Sequence, residues 1–497
     1  MRNKQLWKVL GFGWALCVAL LAVCAGAAEP PPPATWSAAD FRAELKDLHQ
    51  QLEAAHFHLY ERRPKSAYVR LRRALERSAT DGMTRFDVER QLRRFVAYGN
   101  VAHARIELPT ADWEQYRAAG GKAFPLQLEV LGTHVHVRET LPGVAGVDVG
   151  EELLRVDGTP ALRWIDALQQ HQSADNDYMA RTLLESTVPM LAWLEFGPRE
   201  RFRLTLKDAR GRTRTQTIAA QQRTDAGTPA ESTGPAEPAW DRREARMLED
   251  GLAYLRPGPF FHTAPGADNL WDPTAFVAFI DAAFEDFLAA QAKVLLIDLR
   301  DNPGGDNSFS DPMLAWFASR PFRFCSRFEV RASVAARASN RQRLQMAGAA
   351  VDPQSVTARY EAAYAAHAPG TVFPFEIAET QPRPAPRFTG KVYLLINRHS
   401  YSNTVFVAAM AQDDGFATIL GEETSDLAST LGAMETFTLS RSGLTVGFPK
   451  ARIVRPSGDQ TVRGVVPDLA IERRLGETED ALLQRAVARI RAATSGG

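Results

Sequence analysis

The sequence has little cysteine: three residues in 497, Cys17, Cys24 and Cys325. Two of these lie in the first 27 residues, so a chain processed there keeps only Cys325. That excludes an internal disulfide and a cysteine-based metal site. Cys325 stands among aromatics in "PFRFCSRFEV" and reads as a buried structural thiol. The chain also lacks net charge, with 59 basic and 59 acidic residues, which gives no support to nucleic-acid binding. Long apolar runs are missing beyond "VLGFGWALCVALLAV" (9–23), which is short for a retained membrane anchor. A basic "MRNKQLWK" precedes that run and the small residues Ala25 to Ala27 follow it. Together they read as a secretory signal spanning 1–27, hence export, and a periplasmic location is expected. Removing Arg2, Lys4 and Lys8 with the signal leaves a near-neutral chain of net charge −3. Val23 fits poorly with lipidation at Cys24.

Metal and nucleotide chemistry find little purchase. "HFHLY" (56–60) alternates His with apolar residues and reads as a helix end packed on the core. No His and carboxylate cluster has convincing zinc spacing. "GVAGVDVG" lacks the strand–loop–helix order of a nucleotide fingerprint. Neither a cofactor nor a metal is expected.

What is present is a chain of distinct blocks. A proline-rich linker (28–36) leads to a helical region (37–110), where "SAADFRAELKDLHQQLEAAH" opens on a serine cap and keeps helical spacing. Residues 123–222 alternate apolar and polar positions as half-buried strands do, with an Asp-Gly turn at 157–158 and a hairpin around "DARGR". Residues 223–239, rich in Gly, Pro, Ser and Thr, read as a linker. From 240 to 497 strands alternate with helices, so an α/β layer with parallel pairings is expected.

Two junctions in the last block carry candidate chemistry. "VLLIDLRDNPGGDN" (294–307) is a buried strand ending in charges and two glycines. It reads either as a plain strand exit or as a loop whose amides face an anionic centre at the strand's C-terminal end. "KVYLLINRHSYSNTVFVAAM" (391–410) is a strand, a turn holding Ser400 and Ser402, and a helix. A hydroxyl there either caps the helix or acts as a nucleophile beside helix-terminal amides.

Taken in order, Asp298 to Gly305, the Ser-Tyr-Ser turn, "GEET" (421–424) and "GVVPD" (464–468) resemble the core of the tail-specific (C-terminal processing) and tricorn-core serine peptidases. The resemblance extends over most of the chain after the signal. It implies a multi-domain α/β protein: an N-terminal helical region, a PDZ-like β-rich domain and a crotonase-like α/β peptidase core. The run Gly150 to Gly158 resembles the carboxylate-side part of such a PDZ-like peptide-binding module. The implied substrate is a protein or peptide. Ser402 matches the nucleophile, and Ser400 a common turn hydroxyl. The amides of Asn403 and of Gly304 or Gly305 match the oxyanion donors.

The base is where the sequence departs from the better-known branch of that family, which keeps a lysine beyond the "GE-x-T" stretch. Here no lysine occurs between Asn403 and Pro449, and the corresponding "SDLASTLG" is uncharged except for Asp426. The other, His-using branch keeps a histidine near the end of its helical region. His103 in "AYGNVAHARIEL" stands there and is the expected base, with His399 the alternative. Asp459 is the nearest carboxylate to the usual acid position, and a turn role for it is equally open; Glu422 and Glu423 are further candidates. The expectation is therefore an exported serine endopeptidase with no membrane span after signal removal. The rival is a non-catalytic peptide- or ligand-binding protein on the same scaffold.

Overall fold

Ser37 opens the first helix in the way its sequence dictates. Its hydroxyl accepts from the Asp40 amide at 3.0 Å, satisfying a donor that the helix itself leaves unpaired, and the helix runs Ala38–Ala55. The structure is a computed structural model that describes residues 35–222, 240–264, 269–347, 352–353 and 355–495. The signal sequence, nearly all of the proline-rich linker and the 223–239 linker lie outside the described residues. Among the described residues no helix is long and apolar enough to cross a membrane.

The N-terminal helices Ala38–Ala55, Lys65–Ser78 and Arg85–Ala97 do not form a core of their own. Phe41, Leu45, Leu92 and Phe95 pack in one cluster with Val330, Val446, Phe448 and Ile453, which come from the C-terminal block. The reason is the partner of the short strand after His103, which the local sequence does not announce. Arg105–Ile106 pairs antiparallel with Thr445–Val454, Ile106 opposite Val446 and Arg105 opposite Gly447. The turn holding His103 is thereby tied to the far end of the chain. His56, at the end of the first helix, is fully buried, and burial holds its imidazole down at about 3. It is a packed helix end, as its apolar neighbours imply.

The β-rich domain is a sheet in the order Leu126–Leu131, His134–Thr140, Glu152–Val156, Arg201–Lys207, Thr213–Ala219. The expected Asp-Gly turn carries positive φ at both Asp157 (49°) and Gly158 (84°), the geometry a two-residue hairpin needs. Helices Asp177–Leu184 and Val188–Phe196 add to the expected helix Ala161–Gln169.

The C-terminal block contains the anticipated α/β layer. Its sheet runs Glu244–Met247, Leu252–Arg256, Val294–Asp298, Lys391–Ile396, Thr418–Gly421, Leu469–Ala470, parallel apart from the first pairing. Alternate residues feed opposite faces: Leu295 and Ile297 join the cluster under helices Thr274–Ala289 and Asn403–Asp413, whereas Leu296 meets Leu482 and Ile490 of helix Glu479–Ser495. Both faces are covered, which is why the strand reads as unbroken apolar sequence. Each such side chain stabilises the fold by roughly 1.5–3 kcal/mol.

A second, antiparallel sheet in this block was not anticipated: Val372–Pro374, Arg327–Arg331, Thr445–Val454, Thr430–Thr438 in spatial order. It buries Lys450, which donates to Glu435 Oε1 at 2.5 Å while Arg343 holds the same carboxylate. Removing one member of a buried pair costs about 3 kcal/mol or more, because the other charge stays behind. Lys450→Met is therefore expected to lower stability by about 3 kcal/mol in urea melts. It should leave the reactivity of Ser402 intact, since its ammonium is committed to Glu435. Cys325 is 2% exposed, its thiol pushed up to about 12 by burial, consistent with packing and not with reactivity.

Candidate active site

At the C-terminal ends of the central strands, two loops are bound to each other. The Asp301 amide donates to Asn397 Oδ1 at 3.1 Å, and Asn397 Nδ2 donates back to Asp301 Oδ1 at 3.0 Å. The Tyr401 amide donates to the Asn302 carbonyl at 3.0 Å. Asn302, 3% exposed, reaches the Gly258 carbonyl through Nδ2 at 2.7 Å. Ser400 is fully buried, donating to the Leu299 carbonyl at 2.8 Å and accepting from the Asn397 amide at 3.1 Å. One of the two turn hydroxyls is thus structural.

The other is placed differently. Ser402 precedes helix Asn403–Asp413 at φ 54° and ψ −125°, and its side chain makes no capping bond. A non-glycine residue held there carries strain of about 1–3 kcal/mol and persists only where its surroundings enforce it. The enforcing bonds are visible: the Ser402 carbonyl accepts from Val405 at 2.9 Å, and the Ser402 amide donates to Asp426 Oδ2 at 2.7 Å. The hydroxyl is turned away from the capping position it would otherwise fill.

The glycine loop presses on this turn. A Cβ on Gly304 would lie 2.6 Å from the Tyr401 carbonyl, 2.7 Å from the Asn403 amide nitrogen and 2.9 Å from Ser402 Cβ. On Gly305 it would lie 2.0 Å from the Phe260 carbonyl. Both glycines have positive φ, 88° and 141°. The Gly304 amide is already committed, donating to Asn302 Oδ1 at 2.9 Å. Phe260 takes the Gly304 carbonyl and the Asp306 amide in a parallel bridge, so the peptide groups of Gly305 point to the opposite side. Asn403 heads its helix, where the amide has no intrahelical acceptor. Of the three expected donors, the Gly304 amide is engaged with Asn302, whereas those of Gly305 and Asn403 have no acceptor among the described residues.

His103 follows the helical region on the turn before Arg105–Ile106. A Cβ on Gly432 would lie 3.9 Å from His103 Cε1, so the imidazole rests on the start of strand Thr430–Thr438. Burial, aided by the Arg105 charge, pushes it down to about 4 despite the nearby Leu431 carbonyl. Its Nδ1 is buried without a hydrogen-bond partner among the described residues. Ala102, one residue earlier, shares a small cluster with Met179 and Leu183, and Tyr401 packs against it. The turn segments of Ser402 and His103 are therefore neighbours, although about 300 residues separate them in the chain.

The remaining candidates are committed elsewhere. Asp459 is exposed, and its Oδ1 closes a turn by accepting from the Thr461 amide (2.9 Å) and hydroxyl (2.7 Å). None of these bonds reaches the His103 segment, and the turn role is the one its geometry supports. His399 Nε2 meets Glu185 Oε2 at 3.1 Å. Glu422 is paired with Arg398, and Glu423 with Arg463. The carboxylates that do border the site are Asp426 and Asp175, both nearly fully buried. Asp175 gave no sequence signal. Asp426 gave a faint one, as the lone charge in "SDLASTLG". Among the described residues no cluster of three or more His, Cys, Asp or Glu is arranged to hold a metal ion.

Residues 275–471 match peptidase family S41. No curated protein matches the chain. Among solved structures, mature CPAF complexed with lactacystin is similar at a TM-score of 0.65 with 14% identity, over 92% of this chain and 98% of that one. Mature CPAF in a separate crystal structure gives 0.59 and 15% identity, over 87% and 92%. At such identities the likeness concerns the fold.

Proposed function

We propose that this chain, whose residues 275–471 match peptidase family S41, is an exported serine-type endopeptidase. Ser402 is its nucleophile and His103 its general base. One observation carries this reading: a serine held in a strained conformation at a helix N-terminus, its hydroxyl free of the capping role, with a glycine loop in contact at Cβ distance. Strain of that kind in a surface loop would relax; here three segments enforce it.

In the proposed reaction a peptide carbonyl lies above Ser402 with its oxygen toward the Gly305 and Asn403 amides. Neutral imidazole takes the hydroxyl proton as Oγ attacks, and the two amides stabilise the developing oxyanion by roughly 3 kcal/mol each. The imidazolium then protonates the leaving amine, and water, activated by the same ring, releases the acyl group. With its pKa held near 4, His103 is already neutral at pH 7, the form a base requires. The β-rich domain supplies a sheet to which an extended, PDZ-style peptide end would add as a strand, and the signal-like N-terminal sequence supports export to the periplasm.

Digestion of labelled casein and labelling by a fluorophosphonate test the reading, and a folded wild type inert to both would end it. Gly304→Ala tests the glycine contact. The added methyl drives into the Tyr401 carbonyl, the Asn403 amide and Ser402 Cβ, so turnover should drop by about 10²–10³. A circular-dichroism melt would confirm that the variant is folded.

A further inference from the structure

Asp426 is an expensive residue to find behind a backbone turn. Its carboxylate is 2% exposed, and each oxygen accepts one amide: Oδ2 that of Ser402 at 2.7 Å, Oδ1 that of Leu427 at 2.8 Å. Its own carbonyl is fixed by Thr424 Oγ1 at 2.9 Å, and that hydroxyl also accepts from the Val465 amide at 2.9 Å. The side chain is thus anchored from both ends of the final loop region and aimed at the amide of one residue. We propose that Asp426 is the positioning residue of the nucleophile turn: it clamps the Ser402 amide and supplies the buried negative charge that an imidazolium on His103 requires. The second half rests on the serine peptidase reading; the clamp does not.

Two features favour a charge over a neutral cap. A neutral amide has one acceptor oxygen where Asp426 uses two, one toward each backbone amide. The electrostatic setting is also shared with the base: Arg105 faces both Asp426 and His103. From the other side Asp426 is faced by Asp175, which takes the Ala102 amide and is paired with Arg62 at 3.3 Å. Burial pushes Asp426 up to about 6, against the two amides and Arg105. Asp175 is pushed higher, to about 7, by burial and by the Asp426 charge. Two carboxyls so placed resist ionising together, and the one holding Ser402 ionises first.

The sign of the pH effect follows. Asp426 loses its charge as pH falls through about 6, so turnover of wild type should decline there, well above the range in which His103 itself protonates. Asp426→Asn is expected to lose about 10²-fold in kcat with KM within twofold, and to lack the limb near pH 6. A variant within threefold of wild type in kcat, or one keeping that limb, would overturn the charge role. Should Asp426→Asn fail to fold, Arg105→Gln decides instead: removing the guanidinium that holds Asp426 down should move the limb to higher pH, and an unmoved limb overturns the role. Hydrogen exchange read by mass spectrometry tests the clamp whether or not the protein cleaves anything. Peptides spanning Ser402 to Val405 should exchange faster in Asp426→Ala than in wild type, and an equal rate would refute the clamp. An inactive wild type with the exchange difference intact would sink the peptidase reading and leave the clamp standing.

Discussion

Replacing Ser402 with alanine is expected to remove about six orders of magnitude from kcat, the loss seen when the nucleophile of a serine hydrolase is deleted, and to abolish fluorophosphonate labelling. The size follows from the chemistry. Without the hydroxyl no acyl-enzyme forms, and what survives is the electrostatic help of the Gly305 and Asn403 amides to a direct attack by water. A second substitution separates chemistry from architecture. Ser402→Gly removes the same hydroxyl but relieves the strain at φ 54°, which glycine tolerates without cost. It should therefore be as inactive as the alanine variant yet more stable than wild type, by about 1 kcal/mol in chemical denaturation. Wild-type stability at this position would then be lower than the sequence could achieve, as expected where function dictates the backbone. If the alanine variant still digests casein at a tenth of the wild-type rate, Ser402 is not the nucleophile, and the binding-protein rival regains its ground.

Much of the site's scaffold was legible because local rules coincide there. The buried strand Val294–Asp298, the glycine pair after it and the serine turn before Asn403–Asp413 each carry a signal within a dozen residues: apolar run, positive φ, helix start. The serine cap at Ser37 and the Asp-Gly hairpin were legible for the same reason. What local pattern cannot encode is partnership across the chain. Nothing near Arg105 announces that it pairs with Gly447, so the helical region looked separate although its core is shared. The hairpin Thr430–Thr438 and Thr445–Val454 went unread because it is buried on both sides and interrupted by glycines. Asp459 drew attention through its position in the chain, whereas its exposure and its bonds to Thr461 follow from a turn that position alone does not reveal. Asp426 was passed over because a single acid in an uncharged stretch means little until its partner, a backbone amide 24 residues away, is known.

His103→Ala is expected to cost about 10²–10⁴ in kcat, and how that loss combines with that of Ser402→Ala is more informative than its size. If the imidazole acts only by taking the Ser402 proton, the double variant should be no slower than Ser402→Ala alone, because the histidine has nothing left to activate. Independent, multiplying losses would mean that His103 supports the fold or binds substrate without serving the serine. Stability supplies a further check, with a definite sign. Burial and Arg105 lower the folded-state pKa of His103 to about 4, below the ordinary value of 6.5. The unfolded chain therefore binds the extra proton first, and wild type should lose stability as pH falls from about 6.5 to about 4. His103→Gln, which cannot take up that proton, should show a shallower loss over the same interval in urea melts. A variant that tracks wild type throughout would mean the ring is solvated, not packed against Gly432, and would remove the buried base on which the reaction scheme depends.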